Sequence, residues 1–271
     1  MTTGKSKSRI KWPPVNSQLE YSHLNGLIID RAVTELMSPK SKAMKPDTAT
    51  EKSKAMGRSG LAAYIKDPDA FPSSRVIYSN DKFVVINDAY PKSIIHVLIL
   101  PRDLKKSVMR PQEAFDDPAF LADCVAEEKK VRKLVATELR RRFGRQSASD
   151  RPLIEALESD DPPEQLPPGR DWEKEIVSGI HANPSMGNLH IHCMSTEFCG
   201  EKMNKTNHYQ SFTTDFLVPL DQFPLTKHDH RRHYSWMPVD MLCWRCGKNF
   251  GNRMQRLKEH LEEEKDGWIK E

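Results

Sequence analysis

Apolar and polar positions change rhythm several times along this chain, and each rhythm predicts an element. GLAAYIKDP (60–68) reads as one short helix ended by Asp67-Pro68. RVIYSN (75–80) and KFVVIND (82–88) are β-rich runs separated by a Ser-Asn-Asp turn signal, which predicts a hairpin. SIIHVLILP (93–101) is a third apolar strand stopped by Pro101. From Pro118 to Gly144 the period becomes helical. Phe120, Leu121, Val125, Val131, Leu134, Val135 and Leu139 fall on one side, and Gly144 is a C-terminal stop. Residues 145–173 are acidic and proline-rich and read as a long surface insertion. EIVSGIHANPSMGNLHIHCMS (175–195) returns to β texture, and FTTDFLVPL (212–220) adds a further segment.

Composition adds limits. Hydrophobic residues make up 37% of the 271 and charged ones 30%, a polar balance that predicts unstructured segments beside an ordinary core. Residues 1–57 are rich in Lys, Ser, Thr and Pro and read as a flexible basic arm, with one apolar patch at 24–29. Such an arm touches nucleic acid, carries a nuclear address or simply solubilises. No apolar run approaches a membrane span, and the first residues lack a hydrophobic signal core. Five cysteines are too few for a disulfide framework and suit a reducing compartment with a metal pair.

Within 183–195, NPSMGNLHIHCMS, a strand would place Asn188, His190, His192 and Met194 on one face, successive members roughly 6.5–7 Å apart. Leu189, Ile191 and Cys193 would face a core. Three readings compete for the two imidazoles. They are incidental side chains of a half-buried strand, or half of a zinc site that still needs a third ligand. Otherwise one is a nucleophile, whose nitrogen attacks phosphorus while an acceptor orients the other. The preceding turn offers backbone N–H groups to an anion.

A second cluster lies in CWRCGKNFGNRMQRLKEHLEEE (243–264). Cys243 and Cys246 have the C-x₂-C spacing of a metal knuckle, and His260 follows at finger distance. No further histidine is available, but Glu264 lies four residues on from His260, on the same helical face, and predicts a Cys₂HisGlu structural zinc. Glu263 and a water compete for the fourth place. The competing reading is two free cysteines beside an amphipathic helix. Residues 227–258 carry Arg231, Arg232, Arg245, Lys248, Arg253 and Arg256, interleaved with Tyr234, Trp236, Trp244 and Phe250. That mixture suits nucleic-acid phosphates and stacked bases, or else the solvated face of a small zinc domain.

NLHIHCMS resembles the signature strand of the histidine-triad nucleotide hydrolases and transferases. FVVINDAYPKSIIHVLILPR resembles their upstream hairpin, and PSMGNLHIH with NHYQSF is similar to the aprataxin branch. The CWRCG finger resembles that of fungal aprataxin-like proteins. The resemblance spans about residues 60–264. It implies an α+β histidine-triad fold of about five antiparallel strands with packed helices, followed by a small zinc-finger domain. The boundaries it implies are 58–220 for the catalytic domain and 221–271 for the finger. By position, His190 would be the nucleophile and His192 a phosphate contact. His96 would orient the phosphate region and Asp88 meet the ribose, with Lys92 beside it. Ser185 would touch phosphate, and His181 would protonate the departing DNA phosphate. Tyr64 and Leu61, on the first helix, would wedge against a terminal base pair, or serve as plain core. The first histidine of the triad is replaced by Asn188, which hydrogen-bonds but does not titrate, and Asn207 stands where the branch often has a lysine, with Lys205 as a substitute.

The expectation is a nuclear, monomeric DNA 5′-adenylate hydrolase. It would release AMP from abortive ligation intermediates through an adenylyl-histidine, with structural zinc and no metal in the chemistry. The alternatives are a hydrolase of small nucleotide conjugates and a non-catalytic DNA-end-binding module.

Overall fold

The computed structural model describes residues 59–233 and 240–271. The basic arm lies outside these residues, as do Tyr234 and Trp236. The strands are β1 (Val76–Ser79), β2 (Phe83–Asn87), β3 (His96–Pro101), β4 (Ile176–His181), β5 (Ile191–Ser195) and β6 (Leu217–Val218). The helices are α1 (Ala62–Lys66), α2 (Pro111–Ala114), α3 (Pro118–Phe143), α4 (Arg151–Glu158), α5 (Thr206–Thr213) and α6 (Met254–Lys270). The strands form one antiparallel sheet in the order β1-β2-β3-β5-β4-β6. The sixth strand, only two residues long, is too short to announce itself by alternation. No helix among the described residues is long and apolar enough to cross a membrane.

The two faces of the sheet have different partners. On one, α3 lays Val131, Leu134, Val135 and Leu139 across Val97, Ile99, Ile191 and Cys193. Burial of each such side chain contributes about 1.5–3 kcal/mol, so Leu139→Asp would break this layer. α3 starts where Asp117 accepts from the amides of Ala119 and Phe120, with Pro118 in the first turn. Gly144 follows its last residue, as expected of the stop, but in right-handed conformation with φ −54°. Glycine fits there because a Cβ would lie 3.0 Å from the Asp150 carboxylate.

The opposite face is covered in two patches. α1 packs Leu61, Tyr64 and Ile65 onto Val84, Ile86, Leu98 and Leu100. At the other end, Val177, Met194 and Leu217 share a core with Met241, Cys243, Phe250, Leu257 and Leu261 of the C-terminal region. The histidines occupy the gap between the patches.

The acidic segment is only partly a surface insertion. It holds the short exposed helix α4, but its ends are anchored. Buried Asp150 accepts from Arg170 N at 2.7 Å and from Trp172 Nε1 at 2.6 Å. The Arg170 guanidinium lies over the Trp172 and Trp268 rings, at 4.3 and 5.4 Å, and donates to the Trp268 carbonyl. Desolvated cation–π contacts of this kind stabilise by about 2 kcal/mol. The insertion thereby ties α6 to the main core of the sheet.

Candidate active site and metal knuckle

β3 and β5 are neighbours, with Leu98 opposite His192 and His96 opposite Met194. This register places His96 diagonally beside His192, with ring centroids 5.2 Å apart. His181, at the end of β4, stands 4.5 Å from the His192 ring, and His190 stands 4.9 Å from it. Four imidazoles therefore converge on one face of the sheet, as the alternation predicted for two of them. His190 itself precedes the first residue of β5 but is buried all the same.

The hydrogen bonds assign the tautomers. Lys92 N donates to His96 Nδ1 at 3.1 Å. A backbone amide only donates, so the proton of neutral His96 sits on Nε2. That nitrogen lies 2.9 Å from His192 Nδ1, which accepts, leaving the His192 proton on Nε2. Asp88 Oδ2, 3.4 Å from His96 Nε2, favours the same arrangement. His190 Nδ1 lies 2.7 Å from the Asn188 carbonyl and must donate to it, so His190 Nε2 carries a bare lone pair. The Ser211 backbone lies close enough to His181 to favour its protonated form, and His181 Nε2 has no partner. His192 Nε2 is likewise unpartnered. The site thus offers one nucleophilic nitrogen and one N–H donor side by side, with a third nitrogen ready to take a proton.

Burial sets the charge state. It pushes His96 down to about 4, against the upward pull of Asp88. His181 is lowered to about 3 by burial and by His190 and His96 beside it. Burial lowers His190, with the Asn188 carbonyl opposing, and holds His192 well below the usual imidazole range. All four are neutral at pH 7, as a nucleophilic imidazole must be. His181 therefore lacks the extra proton that a general acid needs, until an anion arrives to raise its affinity.

Around this centre, Asp88 Oδ1 accepts from Tyr90 N, and Lys92 Nζ donates to the Tyr90 carbonyl. Burial lowers the Lys92 ammonium, with Asp88 pulling it back up. Ser185 is exposed on the 183–187 turn, and Asn188 is buried. Two residues emerge that the sequence reading had not singled out. Phe212 packs against His96, His181 and His192. Glu197 is buried and accepts from Ile94 N at 2.5 Å. Only the i, i+3 spacing of Tyr209 and Phe212 in NHYQSF hinted at an aromatic wall.

Among the described residues, three groups bring metal-ligating atoms within 4.8 Å of one another: His181, His190 and His192; Asp88, His96 and His192; and Cys243, Cys246, His260 and Glu264. In the second group His96 and His192 are hydrogen-bonded to each other. Only the third contains the thiols of a structural zinc site. Cys246 Sγ is 3.2 Å from His260 Nε2, and that nitrogen is 3.3 Å from Glu264 Oε1. Two thiolates, one imidazole and one carboxylate fit tetrahedral zinc. Glu263 stands aside, 3.9 Å away on the other ring nitrogen and largely exposed.

Two segments of the chain match known families. The HIT domain family matches residues 72–198, and the C2HE / C2H2 / C2HC zinc-binding finger matches 213–266. An aprataxin-like protein of Schizosaccharomyces pombe is 29% identical over 236 residues, covering 86% of this chain and 92% of the relative. An aprataxin-like protein of Saccharomyces cerevisiae is 31% identical over 214 residues, covering 76% of this chain and 94% of that one. The chain belongs to the aprataxin-like family. Among solved structures, the aprataxin ortholog Hnt3 from Schizosaccharomyces pombe superposes with a TM-score of 0.61 at 30% identity, covering 77% of this chain and 93% of that one. Hnt3 in complex with DNA and guanosine gives 0.60 at 29%, with coverage of 78% and 97%. The family's histidine-triad fold and its C-terminal finger are both present here, and the finger's donor set is that of a structural zinc site.

The candidate DNA contacts divide. Tyr64 is 3% exposed and packs on Phe71 at 4.1 Å, so its ring offers no stacking face, and Leu61 is core too. Arg231 is spent on Asp229 and Gln222. Arg232 is spent on Asp116 and the Leu225 and Thr226 carbonyls, and Arg245 on Glu264 and Glu271. Phe250 is buried and Trp244 half-buried, so neither is the exposed stacking ring expected. Lys248, Arg253 and Arg256 instead line an open cleft of about 390 Å³ beside His260.

Proposed function

We propose that this protein is a DNA 5′-adenylate hydrolase acting on abortive ligation intermediates in the nucleus. The observation that carries the proposal is the bare His190 Nε2 beside the His192 N–H, in a pocket of neutral imidazoles. His190 Nε2 attacks the adenylate phosphorus. The bond from that phosphorus to the oxygen of the DNA 5′-phosphate breaks, and AMP becomes attached to His190. His192 Nε2–H donates to a phosphoryl oxygen as charge builds, and Ser185 and Lys92 border the same anion. The substrate's negative charge raises the proton affinity of His181, which then protonates the leaving phosphate oxygen. Water cleaves the P–N bond, releasing AMP and restoring His190. No step uses the finger's metal.

Zinc held by Cys243, Cys246, His260 and Glu264 would organise the finger, whose Lys248–Arg253–Arg256 cleft is the best-placed surface for a phosphate backbone. Hnt3, solved with DNA and guanosine, is consistent with that role. The protein works as a monomer, because the finger and the pocket must reach one DNA end.

The test is incubation with 5′-adenylated nicked duplex under single-turnover conditions, with alkaline quenching and peptide mapping, since the P–N bond is acid-labile. Free 5′-phosphate DNA and AMP on His190 are expected, without added metal. Faster turnover of a small adenosine phosphoramidate than of the adenylated duplex would instead favour the small-conjugate reading.

A further inference from the structure

One helix enters both the metal knuckle and the histidine pocket. Tyr209 of α5 is fully buried. Its hydroxyl donates to the Leu242 carbonyl at 2.9 Å and accepts from Trp244 N at 2.9 Å. These residues flank Cys243, so a single phenol oxygen holds the peptide groups on both sides of a metal ligand. Three residues further along, on the same helical face, Phe212 packs its ring against His181 at 4.8 Å, His192 at 5.0 Å and His96 at 5.6 Å. The intervening Ser211 backbone lies close enough to His181 to favour its protonated form. α5 therefore holds the knuckle at one end and the walls of the pocket at the other.

A second line of contacts runs parallel. Cys199 Sγ donates to the carbonyl of Leu261, the residue after the ligand His260, at 3.3 Å. The same loop carries Glu197, which holds Ile94 N, and Gly200, whose amide donates to the Lys92 carbonyl at 3.0 Å. A Cβ at Gly200 would lie 2.3 Å from the Lys92 carbonyl carbon, so this loop sits directly on the turn that bears Lys92 and leads to His96. The finger's buried side chains and those of α5 form one continuous core, Tyr209 and Phe212 included. Displacing the knuckle must displace the elements that orient the imidazoles, because close-packed cores transmit strain.

We propose that Tyr209 is a positioning residue that couples the knuckle to the nucleotide pocket. Metal loading at Cys243, Cys246, His260 and Glu264 sets the orientation of His181 and His192, and an occupied pocket in turn tightens the knuckle. The inference rests on reading the pocket as a nucleotide site, and it gives the finger a task that DNA contact does not require. Coupling between two sites is reciprocal, so it is measurable from the metal side with no turnover at all.

The experiment uses the zinc-loaded full chain and its Tyr209→Phe variant. Zinc affinity is measured at equilibrium against a chromogenic chelator with and without saturating AMP, whose binding is measured separately by calorimetry. In the wild-type chain AMP should tighten zinc binding by about fivefold or more, within the usual range of coupling between sites. In Tyr209→Phe the AMP effect should vanish while AMP still binds. With adenosine phosphoramidate, which gives the finger nothing to grip, kcat should fall about fivefold and KM stay within about twofold, the scale of one lost hydrogen bond. AMP that binds the wild-type chain without altering zinc affinity overturns the coupling, as does a Tyr209→Phe chain that keeps it. If AMP does not bind the wild-type chain, the nucleotide reading itself falls and takes the coupling with it. Should Tyr209→Phe fail to fold, the wild-type zinc affinities alone decide.

Discussion

Histidine is used in opposite ways in two adjoining regions. In the pocket, His96, His190 and His192 are 4–5% exposed, and their charge is suppressed by burial. Their nitrogens answer to one another and to backbone groups, so each proton has an assigned place. In the knuckle, His260 lies beside an exposed cysteine and two glutamates, and its nitrogen faces thiol and carboxylate. Burial among neutral neighbours prepares a nucleophile, whereas convergence of anionic donors prepares a cation site. The sharpest way to separate the two is to remove one histidine from each. His190→Ala should lower single-turnover AMP release by about 10⁴-fold or more, the usual cost of losing a nucleophile, with zinc content unchanged. Near-normal release from that variant would end the nucleophile assignment.

The converse change attacks the knuckle. Cys246→Ser, or stripping with a chelator, should unfold the finger, because structural zinc supplies folding energy of several kcal/mol. Since Cys243, Leu257 and Leu261 share a core with Met194 and Leu217, the loss should spread into the sheet. One merged transition at lower temperature is expected in calorimetry. An early finger transition followed by an unshifted second one would show that the two regions are independent. Affinity for nicked duplex should fall with it and lose part of its salt dependence, as Lys248, Arg253 and Arg256 lose their fixed spacing.

The same comparison explains what was legible in the sequence. The pocket strands were readable because β3 is a continuous apolar run stopped by Pro101 and the run through β5 sets its histidines alternately with Leu189, Ile191 and Cys193, and α3 because its apolar period and its Asp117-Pro118 start agree. The knuckle ligands were readable because their spacing is local, Cys243 to Cys246 and His260 to Glu264. Partnerships across the chain were not. Nothing in the spacing of Asp150, Arg170 and Trp268 announces that they meet and anchor an apparently loose insertion. Nor does a run of arginines reveal that Arg231, Arg232 and Arg245 are engaged by nearby acids and carbonyls. The same gap left Tyr64 open between a wedge and the core, and the tertiary fold places it in the core.

A milder perturbation, pH, should act on the pocket more than on the knuckle. The folded chain holds its pocket imidazoles below their ordinary value near 6.5, to about 4 for His96 and about 3 for His181. The unfolded chain therefore binds more protons at mildly acidic pH, and stability rises with pH until about 6.5. Above that value this contribution is complete. As the pH falls from 6.5 towards 3, each such histidine adds about 1.4 kcal/mol of loss per pH unit until its folded value is reached. Urea midpoints at pH 7.5, 6.0 and 5.0 measure this, and a flat series would mean the imidazoles are not held neutral. AMP should reverse the trend, taking up a proton as it binds. Calorimetry in buffers of different ionisation heat would register that uptake, and binding should be tighter at pH 6 than at pH 8.

The smallest effect is expected where the sequence departs most visibly from a triad of histidines. Asn188 orients His190, the proposed nucleophile, through its backbone carbonyl, 2.7 Å from His190 Nδ1, and any residue supplies a carbonyl. Its side chain is buried but carries no proton that the chemistry needs. Asn188→His should therefore change single-turnover AMP release by less than about threefold, well under the scale of a lost general acid or base. The pH dependence should also stay as it was, since no new group enters the path of the proton. A tenfold gain, or a new limb in the pH profile near 6.5, would show that the asparagine costs the pocket a titrating group. The contrast would then lie within the pocket itself, between imidazoles that only need a fixed tautomer and one that must exchange its proton.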